Sequence, residues 1–172
     1  MDAAAPPPAA VELAVGEALV RQSSGRHRAQ LALGVTVAVP VRGRWGVAFE
    51  TVGTAAGERS AELTLEQYHL RPAAMATLTF ARPIEAVARR RGPTPSRSLG
   101  FDLAIGPSVA LTFAHWGAAD IGDVWIVEPG VRARAALSLG LGGPVSLRLQ
   151  GGLGWRPSGT DHDYLMGAAC AF

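Results

Sequence analysis

Strict alternation of large apolar residues with small or polar ones is the main pattern along this chain. In the segment 29–41, every second residue from Leu31 onward is Leu or Val, and the residues between them are Ala, Gly, Thr and Pro. Segments 101–113 and 145–155 repeat the pattern with mostly Phe, Leu, Ile, Val and Trp on one face. Because the side chains of a β-strand point alternately to opposite faces, a period of two predicts strands.

Five further segments alternate less clearly and bring the predicted number of strands to eight. They are 11–22, 44–54, about 61–82, 123–142 and 164–172. The predicted connections are 23–27, 42–43, 55–60, 83–97, 116–122, 143–144 and 157–163. An even number of strands joined in this way predicts an all-β, antiparallel, up-and-down meander over residues 11–172, after a disordered Ala/Pro-rich segment at 1–10.

The face opposite the large apolar residues indicates how the sheet closes. It holds mostly Gly, Ala, Ser and Thr, with a few charged residues: Glu50, Asp102, Arg132, Arg134 and Arg148. A water-facing exterior would carry many long charged side chains, whereas the narrow lumen of an eight-stranded barrel is filled by small residues and a few paired charges. The pattern therefore predicts an eight-stranded transmembrane β-barrel with its apolar face toward lipid, a salt-bridged interior and no open pore.

Aromatic residues recur on the apolar face at distances that fit a membrane. Phe101 and Phe113 are 12 residues apart, as are Tyr68 and Phe80. At about 3.3 Å per residue and a tilt of about 40°, 12 residues rise about 30 Å, close to the apolar band of about 25 Å. We expect two aromatic girdles, formed by Trp45, Tyr68, Phe80, Phe101, Phe113, Trp155, Tyr164 and Phe172.

Composition narrows the function classes further. Only 17% of the residues are charged and the net charge is +2, so a nucleic-acid partner is not indicated. No apolar run approaches the 18 residues that a membrane helix requires. The single cysteine and the four scattered histidines predict no disulfide, metal site or cofactor. The N-terminus shows no export signal as given, so we expect a mature form with a replaced initiator Met.

The last ten residues alternate from Tyr164 and end on the aromatic Phe172. This segment resembles the closing strand and assembly signal of bacterial outer-membrane proteins. Together with the eight-strand count, the stretch 11–172 resembles the class of small barrels formed by the OmpA transmembrane domain and OmpX. The resemblance implies a location in the bacterial outer membrane, contact with its lipid, periplasmic termini and insertion by the barrel-assembly machinery.

Three features depart from that class. The connection 83–97 is long for a periplasmic turn and contains the run Arg89, Arg90 and Arg91. Pro107 lies within a strand, where it removes a ladder hydrogen bond, so we expect a bulge there. Glu17 falls on the apolar face of the alternating pattern, so a bulge near Gly16 is expected to turn its side chain inward.

Few residues suggest chemistry. His115 precedes Gly117, where the segment that it resembles in lipid A deacylases has Ser, so the hydroxyl for acyl transfer is missing and catalytic residues are not predicted. His162 is expected in a surface loop, and Cys170 on the lipid face. The sequence favours a structural, envelope-interaction or membrane-anchor role with an unidentified envelope partner. A lipid-modifying enzyme and a soluble lipocalin-like carrier are the alternatives.

Overall fold

The structure, a computed structural model, describes residues 9–21, 27–59, 64–84, 97–117 and 122–172. These ranges contain eight strands: β1 (Ala10–Arg21), β2 (His27–Arg42), β3 (Trp45–Arg59), β4 (Thr64–Ile84), β5 (Arg97–Trp116), β6 (Val124–Gly140), β7 (Val145–Arg156) and β8 (Gly159–Ala171). Within them no helix is long and apolar enough to cross a membrane. The segments 1–8 and 85–96, including Arg89, Arg90 and Arg91, lie outside the described residues.

The eight strands form a closed barrel in which each strand pairs antiparallel with its sequence neighbours. β1 also pairs with β8, from Ala10 opposite Ala171 to Leu19 opposite His162, and this seam closes the barrel. Beyond the seam, the backbone N–H of Phe172 donates to the carbonyl oxygen of Ala9 at 2.9 Å. The predicted fold class, an eight-stranded antiparallel barrel, is confirmed.

The two faces of the barrel wall have opposite character. Large apolar side chains point outward: Leu31 is 67% exposed and Met166 is 65% exposed. Their neighbours Ala32 and Leu165 point inward and are fully buried. The interior therefore includes a few larger apolar residues, such as Met75, beside the small ones predicted for it. An apolar outer face and a buried inner face that carries charge are the reverse of a soluble carrier barrel.

β3 and β8 extend well into two of the predicted connections, which are correspondingly shorter. β3 continues to Arg59 through the predicted connection 55–60, and β8 begins at Gly159 within the predicted connection 157–163. The β7–β8 turn is only Pro157 and Ser158, followed by Gly159 at a φ of 145°, which a residue without Cβ adopts most easily. The polar residues after Gly159 are therefore strand residues.

Both predicted bulges are absent. Gly16 pairs with Ala32 and Glu17 with Leu31 in unbroken register, so Glu17 points outward and is exposed. The register between β4 and β5 is the same on both sides of Pro107, although the pairs beside it are missing from the ladder. Proline here removes hydrogen bonds without adding a residue. The register shifts instead between Pro40 and Arg42, at the β2–β3 turn.

The barrel opens at the end opposite its termini. Pairing between β2 and β3 stops at Ala32 opposite Thr54, and pairing between β6 and β7 stops at Val131 opposite Trp155. Beyond these levels β3, β4, β5 and β6 pair only with one another. We call this four-stranded extension, bounded by 55–59 of β3 and 124–130 of β6, the protruding sheet.

Candidate functional site

Ion pairs occupy the middle of the barrel around Glu50. Arg132 Nε donates to Glu50 Oε1 at 2.6 Å, and Arg134 Nη1 donates to Glu50 Oε2 at 2.7 Å. Arg134 also donates to Thr36 Oγ1 at 3.1 Å. These side chains come from β2, β3 and β6, and all are buried. The carboxylate of Glu50 thus joins two guanidinium groups across the lumen.

The network continues toward the protruding sheet through β8. Arg132 donates to both carboxylate oxygens of Asp163, at 2.8 and 3.0 Å. Arg71 of β4 lies 3.8 Å from Asp163 and 3.6 Å from Asp161. Arg156 donates to Asp161 at 3.0 Å.

Arg156 then reaches Glu128 of β6 at 3.3 Å, and Glu128 also accepts from Ser158 Oγ at 2.7 Å. We call the connected side chains the ion-pair ladder: Arg134, Glu50, Arg132, Asp163, Arg71, Asp161, Arg156 and Glu128. It contains four arginines and four carboxylates, so its formal charge is zero.

A separate charged group lies nearer the termini. Arg148 of β7 pairs with Asp102 of β5 and lies 3.3 Å from Glu12 of β1. Arg148 and Asp102 also line a cavity of about 210 Å³ that has Arg44 and Thr79 on its wall. Three buried charged residues and this cavity occupy the end of the barrel where the chain begins and ends.

The five charged residues predicted for the lumen are all buried, but they divide into two groups. Glu50, Arg132 and Arg134 belong to the ion-pair ladder, whereas Asp102 and Arg148 belong to the group near the termini. Sequence reasoning missed six further members: Glu12, Arg71, Glu128, Arg156, Asp161 and Asp163.

Strand parity could have found most of the missed residues. Glu12 alternates with the exposed Leu13, and Arg71 alternates with the exposed Leu70, so both point inward. Asp161 and Asp163 were hidden because residues 157–163 were interpreted as a loop. For the same reason the expected loop position of His162 is wrong: it lies in β8, paired with Leu19 and Leu153. The half-buried His69, whose Nδ1 is 2.9 Å from Thr112 Oγ1, was also missed.

Aromatic side chains lie on the outer face near both ends of the barrel. Toward the termini, Phe80 and Phe101 stack at 6.4 Å between ring centroids, and the Arg44 guanidinium lies 5.2 Å from the Phe80 centroid. Trp45 and Phe172 are exposed at this end.

The aromatic residues at the opposite end form a tighter cluster. Phe113 lies 6.2 Å from Tyr68 and 4.7 Å from Trp125, between ring centroids. Trp155 and Tyr164 are exposed on neighbouring strands. Trp125 was missed although the inward positions predicted for Arg132 and Arg134 place it on the outer face of the same strand. The spacing of these residues fits two aromatic levels on the apolar face.

The edge of the protruding sheet exposes apolar residues on both of its faces. Residues 124–130 of β6 pair with β5 on one side, and within the described ranges they have no strand on the other. Four consecutive side chains are exposed there: Val124, Trp125, Ile126 and Val127. An edge strand offers unpaired backbone N–H and C=O groups to another chain.

His115 lies at the rim of the protruding sheet. Its Nδ1 is 2.6 Å from Asp123 Oδ1, so it has a carboxylate partner. Gly117, two residues on, still offers no hydroxyl at the position where an acyl-transfer nucleophile is needed. Cys170 is exposed on the outer face. In the described part of the chain, no group of three His, Cys, Asp or Glu residues is placed to hold a metal ion.

Comparison with solved structures identifies the class of fold. No family model matches the chain, and no curated protein matches its sequence. Ail, the attachment invasion locus protein of Yersinia pestis, is 9% identical with a TM-score of 0.67, covering 97% of this chain and 99% of Ail. Neisserial surface protein A is 12% identical with a TM-score of 0.68, covering 95% and 97%.

The N-terminal β-barrel domain of Pseudomonas aeruginosa OprF is 8% identical with a TM-score of 0.58, covering 95% of this chain and 97% of that domain. All three are small eight-stranded outer-membrane β-barrels. The chain has the same fold along nearly its whole length.

Proposed function

We propose that this protein is an outer-membrane β-barrel that presents the open edge of β6, at the aromatic level of Tyr68, Phe113 and Trp125, as a docking edge for a protein partner. The apolar outer face with its two aromatic levels supports a position in a bilayer. The fold shared with Ail, Neisserial surface protein A and the OprF barrel supports the outer membrane in particular.

The open edge of β6 is the observation that carries the partner proposal. Seven residues, 124–130, lack a partner among the described strands on the side away from β5. At about 3.3 Å per residue, this open edge extends about 23 Å along the strand. Natural proteins protect such edges with charges or prolines, yet 124–127 holds only Val, Trp, Ile and Val, and Pro129 comes near its end. An extended segment of a partner can add to this edge as a further strand.

The filled lumen supports a role as a scaffold rather than a channel. The ion-pair ladder joins β3, β4, β6, β7 and β8, and the separate group around Arg148 joins β1, β5 and β7. Buried charges that are paired and hydrogen-bonded hold their geometry, because separating them leaves a buried charge without a partner. This interior supports a rigid wall on which the protruding sheet keeps its orientation.

The orientation is tested by labelling cysteines in intact cells. In a Cys170→Ala background, we expect Ile126→Cys to react with a membrane-impermeant maleimide in whole cells. The matched control, Leu141→Cys at the opposite end of the barrel, should react only after the cells are permeabilised. Labelling of both positions only after permeabilisation contradicts the proposed orientation, and fractionation of the protein away from the outer membrane contradicts the location.

The docking edge is tested by placing a photo-crosslinking amino acid at Ile126 in cells. We expect a discrete adduct with one envelope or external protein, identified by mass spectrometry. Val127→Lys should abolish it, because a charge on the edge disfavours strand addition. Leu141→Lys is the control and should leave the adduct unchanged. An adduct that survives Val127→Lys rules out strand addition at this edge.

A further inference from the structure

An apolar depression lies on the outer face of the barrel where the protruding sheet begins. Its volume is about 520 Å³, within the range of about 300–1,000 Å³ usual for small-molecule sites. Gly53 and Ala55 of β3 form its floor, between Leu31 on one side and Tyr68 and Trp125 on the other. We call this depression the outer groove.

The outer groove forms where the barrel wall divides. Above Ala32 and Thr54 the strands β2 and β3 no longer pair, and the small side chains of Gly53 and Ala55 leave space between their taller neighbours. The other wall is the aromatic cluster of Tyr68, Phe113 and Trp125. A depression with rigid aromatic walls and a floor of small residues has the shape of a site for one slender apolar group.

The two ends of the outer groove differ in polarity. Toward the barrel it continues into the exposed apolar face through Leu33 and Leu70. Toward the protruding sheet Tyr68 Oη donates to Glu66 Oε2 at 3.2 Å, and Glu66 pairs in register with His115. An occupant that lies along the groove must therefore be apolar along its length and tolerate a polar group at one end.

We propose that the outer groove binds a single acyl chain of an outer-leaflet membrane lipid, with the lipid headgroup beside Tyr68 at the aromatic level of Phe113 and Trp125. The proposal rests on the proposed membrane position, since the groove is continuous with the face assigned to lipid. The aromatic wall of the groove offers no backbone groups to a protein strand, because β4 and β5 are already paired on both sides. Protein pairing belongs to the edge of β6 instead.

Trp125 provides a direct readout of occupancy. The probe is phosphatidylethanolamine with brominated acyl chains, which quenches tryptophan on contact, added to the folded protein in detergent micelles. Trp45, Trp116 and Trp155 are replaced by Phe so that only Trp125 reports. We expect quenching that saturates at low lipid content, on top of the gradual quenching that random contact with brominated lipid produces.

Filling the groove should remove the saturable phase. Ala55→Phe is expected to raise the lipid concentration for half-quenching at least about tenfold, the factor that corresponds to about 1.4 kcal/mol. Gly53→Leu is a second filling variant, whose Cβ would meet Leu70 Cδ1 at an ordinary 3.7 Å. Ala168→Phe, on the outer face of β8, is the matched control and should behave as the parent. The folded state of each variant is checked by its migration on gels before and after boiling.

Three outcomes distinguish this proposal from the proposed function. Saturable quenching that both filling variants weaken supports the groove. Quenching that only rises gradually with lipid content, or that Ala55→Phe and Ala168→Phe change equally, overturns the groove alone if the protein still inserts into vesicles. A protein that does not insert into vesicles overturns the membrane position and the lipid site with it.

Discussion

At the scale of single residues, Glu50 and Arg132 each join two oppositely charged partners in the ion-pair ladder. Glu50 accepts from two arginines, so one carboxylate faces two positive charges. Arg132 resolves this imbalance because its other side binds both oxygens of Asp163. Because all three side chains are buried, each of these charges is costly without its partner.

Arg132→Met is therefore expected to destabilise the barrel by about 3–5 kcal/mol, since it removes both hydrogen bonds to Asp163, leaves Arg71 at 3.8 Å as its nearest cation, and leaves Glu50 with Arg134 alone. The measurement is urea unfolding in detergent micelles, followed by tryptophan fluorescence. Arg44→Met is the control, because Arg44 is exposed at the rim and contacts only the Phe80 ring among the interactions described above, which is worth about 0.5–1 kcal/mol. Equal costs for the two variants would show that the ion-pair ladder does not support the fold.

Glycine is required where neighbouring strands approach most closely. A Cβ on Gly106 would collide with the carbonyl oxygen of Ala74 and lie 2.7 Å from Met75 Cα. Gly106→Ala should therefore cost about 1–3 kcal/mol by overpacking. Gly154→Ala is the matched control, since a Cβ there meets nothing within 4 Å. Thermal unfolding in the same detergent compares them, and similar midpoints for the two variants would refute the close approach at Gly106.

At the scale of elements, the alternation of large apolar and small residues predicted the barrel wall. It failed for polar strand residues, whose composition also fits a loop. The alternation from Leu31 to Val41 predicted a strand, and the structure places its Leu and Val side chains on the exposed outer face. Asp161, His162 and Asp163 resemble loop residues by composition, and only the closed barrel gives their carboxylates arginine partners. The point at which β6 stops pairing with β7 could not be predicted from the sequence either, because it depends on how far each strand extends along the barrel axis relative to its neighbour.

The last strand supplies a test of assembly. Phe172 is 75% exposed beside the β1–β8 seam, and its backbone N–H bonds to Ala9. If the barrel-assembly machinery recognises Phe172, we expect Phe172→Asp to reduce insertion in cells severalfold. Refolding into detergent, which does not use the machinery, should persist. Phe80→Asp places the same charge at the same end of the barrel. Quantitative outer-membrane fractionation measures both, and an equal loss would assign the effect to the lipid face.

At the scale of the whole molecule, the barrel has an apolar exterior and a charged interior, so we expect it to be stable in detergent and to aggregate in plain buffer. The protein should require detergent, give a β-type circular dichroism spectrum and migrate faster on gels before boiling than after it. Boiling opens the barrel, whereas detergent alone leaves the closed sheet intact. A monomer that stays dispersed in plain buffer would contradict the membrane position.

The ion-pair ladder also constrains how the barrel can form. Arg132 and Glu50 are 82 residues apart in the chain, and Arg134 and Thr36 are 98 apart. Such contacts form only after β3 and β6 stand in one ring with β8, and contacts between distant residues make folding slow. A half-closed ring in lipid would hold these charges unpaired. We therefore expect curling of the sheet into a ring and neutralisation of its interior to be coupled, so that an incompletely curled sheet is selected against by its own unpaired charges.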